Sequence, residues 1–206
     1  MEEVGLRARH AARTRAAIVE AALDLFQERG FQATTIDEIA ARADIAPRTF
    51  FRYFPTKEAV LFADSAEERQ RMAAALAERP AEEHPFASLV AALGTFADGM
   101  EAEPKDIKLR QRIAAENPGI WAYQRTMLEA EMAETLAGFV AERLGVASTS
   151  DPRPQVWAAL VMVTFRIGFH VWLDGGQAGG LRSAVESSLA AAAEATSVLT
   201  GPLPGV

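Results

Sequence analysis

Arg48 and Arg52 stand one helical turn apart, Thr49 and Tyr53 repeat the interval, and Phe51 lies between them. Guanidinium groups grip phosphate oxygens or guanine edges, hydroxyls bond phosphates, and a flat ring suits a thymine methyl. Phe50 and Phe54, at i and i+4, suit the interior, which leaves Phe51 and Tyr53 with no obvious core to fill. This set points to a surface that reads a nucleic-acid groove. The plainer reading is a small helix whose Arg and Tyr side chains snorkel at the surface.

A second set lies later in the chain. Arg166 and His170 stand at i and i+4 within a nearly continuous apolar run, residues 155–173. A charge inside a protein must be paired. One reading is an ion pair with a carboxylate such as Glu116 or Glu131; the other is an anchor for a polar or anionic ligand head group. Arg110 and Arg112, with Asn117 following, form another polar group, read as a pocket entrance. Trp121, Tyr123, Met127, Leu128 and Met132, with Trp157, Met162, Phe165, Phe169 and Trp172, supply aromatic and Met surface. Such content fits an adaptable apolar cavity or a plain core. The candidate pocket residues are Arg110, Trp121, Met127, Phe165, Arg166, Phe169 and His170.

Catalytic and metal chemistry find little support. The chain has no cysteine, and its three histidines (His10, His84 and His170) are scattered. No Gly-rich phosphate loop follows a strand pattern. An enzyme would rest on His170 with a carboxylate partner. No catalytic residue, metal or cofactor is expected.

Helices must position these groups. Ala, Leu, Glu and Arg dominate the 206 residues, and half the chain is hydrophobic, so the composition favours an all-α fold with a buried core. Residues 1–12 read as a flexible basic arm. A helix over 13–29 turns Ile18, Ala22, Leu23, Leu25 and Phe26 inward and stops at Gly30. Thr35 caps the next helix, with Glu38 at capping-box spacing. Ile36, Ile39, Ala40 and Ala43 form its core side. Asp44 suits the turn because it tolerates left-handed backbone. Pro47 opens the reading helix, with Ile45, Phe50 and Phe54 inward, and Pro55 ends it. One helix is expected over 57–78, then others over 86–100, 105–115, 118–144, 155–173 and 181–199, with a frayed tail at 201–206. The run 155–173 is slightly short for a membrane span and contains Arg166, so a buried helix of a soluble bundle is the better reading.

The net charge of −7 argues against a DNA binder until the chain is divided. Residues 1–57 hold nine Lys and Arg against eight Asp and Glu, while the remainder holds twelve against twenty. Phosphate contact depends on local charge, because fields are screened over about 10 Å at moderate salt.

The runs AALDLFQERGFQATTIDEIAARADIA and RTFFRYFPTKEAVL resemble the DNA-binding domain of the TetR family of bacterial repressors. Two positions depart from the family pattern: Asp44 replaces the usual Gly of the turn, and Phe51 replaces the usual Tyr. The resemblance implies phosphate contacts by Thr35, Thr49, Tyr53 and Lys57, and base readout by Pro47, Arg48, Phe51 and Arg52. Arg7, Arg9 and Arg13 of the arm would reach a minor groove or the backbone. The pattern LRQRIAAENPGIWA…LAGFVAERLGV is similar to the C-terminal domain of relatives that sense acyl-CoA-like molecules.

The expected organisation is therefore a three-helix bundle with a helix-turn-helix at 13–57, followed by a ligand-binding and dimerisation domain at 58–200, about nine helices in all. The last helix offers Ala184, Ser187, Ser188, Ala191, Ala192 and Ala195 for close contact in a homodimer. The expected function is a cytoplasmic, ligand-relieved repressor. Its partners would be a near-palindromic double-stranded DNA operator and an acyl-CoA-like or other apolar effector, with no membrane. The competing reading is a helical protein–protein module without DNA binding.

Overall fold

A computed structural model describes residues 2–101, 109–110, 112–114, 116–117, 119–120, 129–175 and 179–197. Eight α-helices and one 3-10 helix have both ends among these residues, residues 109–110, 112–114, 116 and 119–120 are helical too, and the described residues contain no strand. The chain divides into two compact units, one of residues 1–65 and 105–124, the other of residues 66–104 and 125–206.

In the first unit α1 (Glu2–Arg29), α2 (Ile36–Arg42), α3 (Pro47–Tyr53) and a 3-10 helix (Glu58–Phe62) enclose one core. Ile18, Ala22, Leu25 and Phe26 of α1 meet Ile39, Phe50, Phe54, Val60 and Leu61 there, as the apolar spacing predicts. Three features differ from expectation. Helix α1 begins at Glu2 rather than near Arg13, so the segment read as an arm continues the helix. Residues 6–12 contain no Pro or Gly, and propagating an existing helix through good formers costs little.

The stretch expected as one helix over 57–78 is broken into the 3-10 helix and α4 (Ser65–Ala77). Ala59, Val60 and Leu61 are all buried. At three residues to the turn successive side chains point about 120° apart, so burying three neighbours requires cover on more than one side, which a single one-sided helix over 57–78 would not have. Finally, Ile113, Ala114 and Ile120 lie in the first unit's core and Leu109 packs on it. The boundary expected after Lys57 therefore falls after Ser65, and residues 105–124 return to the reading unit.

The turn between α2 and α3 is a Schellman motif. Asp44 sits at φ +53°, the one positive-φ non-Gly residue among those described. Its N–H donates to the Ala41 carbonyl at 3.3 Å, and the Ile45 N–H donates to that of Ala40 at 2.9 Å. Asp44→Val should lower stability by about 1–2 kcal/mol, because a β-branched residue resists left-handed backbone. Asp44→Gly should not, and urea unfolding of both variants checks this.

The second unit contains α4, α5 (Pro85–Glu101), α6 (Glu129–Leu144), α7 (Arg153–Asp174) and α8 (Leu181–Ser197). Helix α7 packs against α5, α6 and α8. Its inner side buries Ala158, Val161, Thr164, Gly168, Phe169 and Trp172. Its outer side leaves Val156, Val163, Ile167 and Val171 exposed. The helix expected to be buried is thus apolar on both sides and covered on one. By length and composition alone it could cross a bilayer, with 33% of its apolar window buried.

At the far end of α6, the Arg143 guanidinium donates to the carbonyls of Arg79, Pro80 and Ala81 at 2.7, 2.6 and 2.8 Å. This holds the α4–α5 loop. Nearby, hydrogen bonds first from Arg79 and then from Ser88 hold the Glu83 carboxyl at about 2, below its ordinary 4.5. A carboxyl with a depressed folded pKa stabilises the fold above its unfolded pKa, and loses that effect as pH falls through the folded one. The melting temperature of the native protein should therefore exceed that of Glu83→Gln at pH 6. The gap should close as the pH falls from about 4.5 to about 2.

Candidate nucleic-acid interface

Helix α2 starts on a complete capping box. The Thr35 hydroxyl accepts from the Glu38 N–H at 3.2 Å, and the Glu38 carboxylate accepts the Thr35 N–H and the Thr35 O–H, each at 2.9 Å. Arg29 reaches the same carboxylate at 2.6 Å. These bonds, that from the Thr35 N–H foremost, hold the Glu38 carboxyl below its usual range. Both groups through which Thr35 would hold a phosphate are thus engaged within the chain. Arg42 fastens α2 to α1 through a two-pronged bond to Glu28, at 3.0 and 2.8 Å.

Pro47 occupies the first turn of α3, whose N-cap Ala46 makes no side-chain cap. Phe50 is wholly buried and anchors the helix, and Phe54 follows it into the core. The guanidinium of Arg15 covers the Phe54 ring at 5.4 Å. On the opposite side Pro47, Arg48, Phe51 and Arg52 are all exposed. Phe51 is 56% exposed, a large apolar area to leave in water, and it stands edge-on to Phe50 at 5.7 Å. Positions 48, 51 and 52 share one face at i, i+3 and i+4. An α3 of seven residues therefore offers one cation, one ring and a second cation side by side.

Tyr53 and Thr49 border this face and are half-buried. Tyr53 does find part of an interior, since it packs against the core. Arg52 covers its ring at 5.0 Å and donates to its hydroxyl at 3.3 Å, which holds the phenol below its usual range.

Lys57 points elsewhere. Its ammonium donates to the carbonyls of Phe31 and Thr34 at 2.7 and 2.8 Å and lies 4.3 Å from the centre of the Phe31 ring. Burial pushes it below the usual lysine range. It fastens the loop that leads into α2. Asn117, read as part of a pocket entrance, is buried in this unit instead. It donates to the Ile113 carbonyl at 2.7 Å, and its side-chain oxygen accepts from Gln32. Arg110 pairs with Asp64 at 3.0 Å, also within this unit.

The other described members of the expected pocket lie in the second unit. Phe165 and Phe169 are stacked at 6.0 Å and 19°, and Phe96 of α5 is tilted against Phe165 at 5.6 Å. The His170 ring lies 6.2 Å from that of Phe169. Arg166 makes an ion pair with a carboxylate, that of Glu129 at 3.1 Å rather than Glu116 or Glu131, the examples the sequence suggested; Glu131 pairs with Arg69. Arg110 and this group thus fall in different units. Trp121, Tyr123, Met127 and Leu128 lie outside the described residues.

Residues 18–63 match the sequence profile of bacterial regulatory proteins of the tetR family, and residues 83–196 match that of the MftR C-terminal domain. The chain is 35% identical over 175 residues to the HTH-type transcriptional regulator TcmR of Streptomyces glaucescens, covering 82% of this chain and 76% of TcmR. It is 32% identical over 156 residues to MftR of Mycobacterium tuberculosis, covering 76% of this chain and 78% of MftR. Among solved structures it is similar to Thermus thermophilus FadR, a transcriptional repressor of the same family in complex with lauroyl-CoA. That similarity has a TM-score of 0.55 at 26% identity and covers 93% of this chain and 100% of FadR.

Proposed function

The chain belongs to the TetR family of bacterial regulatory proteins and is a DNA-binding regulator of transcription, and from that premise we propose a homodimeric repressor that an apolar small molecule releases from a near-palindromic operator. Its relatives are named as transcriptional regulators, and it is not an enzyme. As a reader of bacterial DNA it works in the cytoplasm.

The outward face of α3 carries this reading. Arg48 and Arg52 take base edges in the major groove, Phe51 meets thymine methyls, and Pro47 lies beside them. Thr49 and Tyr53 bond the flanking phosphates. Thr35 does so once a phosphate displaces the Glu38 carboxylate. Lys57 serves DNA binding through the loop it fixes, since two carbonyls already hold its ammonium.

The exposed stripe Val156, Val163, Ile167 and Val171 supports the dimer, since such a surface favours burial against a second copy. Exposed Ser187, Ala191 and Ala195 of α8 are small enough for close helix contact. A two-fold dimer sets two reading helices about 34–36 Å apart, one turn of DNA.

The chain crosses between its units three times, after Ser65, Pro104 and Gln124. A ligand in the second unit therefore has three covalent routes to the reader. A single rigid lever over 57–78 is not among them, because the helix is interrupted there. Coupling of this type is typically about 1–3 kcal/mol, and it requires the ligand to bind the two states unequally.

Selection of bound fragments from the source genome, followed by titration with Arg48→Ala, tests the reading. The variant should lose about 1–3 kcal/mol of operator affinity and relax preference at one base position. Unchanged affinity and unchanged preference together would remove Arg48 from base readout.

A further inference from the structure

On the reading that the second unit takes up a small molecule, we propose that its ligand is a flat, uncharged aromatic carbonyl compound lying against the rings of Phe96, Phe165 and Phe169, with its carbonyl accepting from the indole N–H of Trp172. Phe165, Phe169 and Trp172 stand at i, i+4 and i+7 of α7, along the side that also carries the buried Val161 and Gly168. Their rings form a lane, with Phe169 and Trp172 5.8 Å apart and Phe96 facing Phe165 from α5. The spacings are those at which ring systems attract, and a further flat ring gains the same contacts. Phe96 and Phe165 remain partly accessible along this inward-facing lane.

The polar end of the lane is Trp172. It is 3% exposed, and its indole nitrogen has no hydrogen-bond partner among the described residues. A buried tryptophan N–H ordinarily finds an acceptor, because leaving one unmade is costly. Among the described residues the other buried side-chain nitrogen in this condition is Nε of Arg110, in the first unit, whose guanidinium is already paired with Asp64. A carbonyl oxygen supplies what Trp172 lacks.

Charge decides between a neutral and an anionic ligand. Arg166, the cation nearest in sequence to these rings, is paired with Glu129. An anionic head group would have to compete with that carboxylate, whereas a ketone or quinone need not. A flexible acyl chain would satisfy the apolar surface but offer neither a flat face nor an acceptor at a fixed distance.

The probes are 9-fluorenone and fluorene, flat tricycles that differ in one carbonyl, with lauroyl-CoA as a third arm. All are titrated into the full-length protein by equilibrium dialysis. Fluorenone should bind about tenfold more tightly than fluorene, and Trp172→Phe, which keeps an aromatic ring of smaller size and removes the N–H, should erase that advantage. In the native protein one indole N–H resonance should move downfield with fluorenone and not with fluorene, which keeps the test open if the variant fails to fold. Equal binding of the two tricycles, indifference of fluorenone to Trp172→Phe, or binding of lauroyl-CoA with neither tricycle would overturn the proposal. Operator binding is measured in parallel. Its absence at low salt would sink the regulator reading, while the carbonyl preference would still establish the site.

Discussion

Lys57→Ala is expected to lower the unfolding free energy of the reading unit by about 2–4 kcal/mol, because two charge-assisted hydrogen bonds are lost and their carbonyls are left without a donor. Both carbonyls, of Phe31 and Thr34, belong to the loop that aims Thr35 and α2. The consequence for DNA is uniform weakening across sequences, since the loop sets the placement of the whole motif rather than one contact. A lysine that neutralised a phosphate would behave differently. Its removal would spare the fold and reduce the salt slope by about one. Lys57→Met separates the two, since it keeps the aliphatic cover over Phe31 and removes the ammonium. The variant is read by hydrogen exchange of the α2 amides and by operator affinity at several salt concentrations. Unchanged exchange with a reduced slope would restore the phosphate contact.

Helix packing in the second unit gives the other large effect. A Cβ at Gly168 would lie 2.7 Å from Val185 Cα, 2.8 Å from its nitrogen and 2.9 Å from the Ala184 carbonyl carbon. These are backbone atoms of α8, so no side chain can swing aside. Gly168→Ala should cost about 2–3 kcal/mol despite the better helix propensity of alanine, and Gly168→Val more. Gly138 of α6 is the control. Nothing lies within 4 Å of a Cβ there, so Gly138→Ala should gain up to about 1 kcal/mol. Thermal unfolding of the two alanine variants side by side decides the matter. Equal melting temperatures would show that α8 adjusts freely and that the close crossing is unimportant.

The reading motif was legible from sequence because its determinants are local. Thr35 and Glu38 are three residues apart, Asp44 and Pro47 mark the turn and the next start, and the inward set repeats at helical spacing. What escaped depends on residues brought together from afar. Lys57 bonds carbonyls 26 and 23 residues earlier, and the partner of Asn117 lies 85 residues away. No local pattern marks such pairs, and for Arg166 sequence offered several carboxylates with no means of choosing among them. In α7 the apolar residues on the two sides look alike in sequence; only packing separates Val161, buried, from Val163, exposed.

Ile113, Ala114 and Ile120 bear on how regulators of this type diversify. They complete an interior that Ile18, Phe26 and Phe50 begin. A recombination event cutting after Ser65 would deliver a DNA reader with a hole in it. A viable graft must carry the strip 105–124 along with the head, so evolution can exchange the sensor around that strip more readily than it can exchange the strip itself.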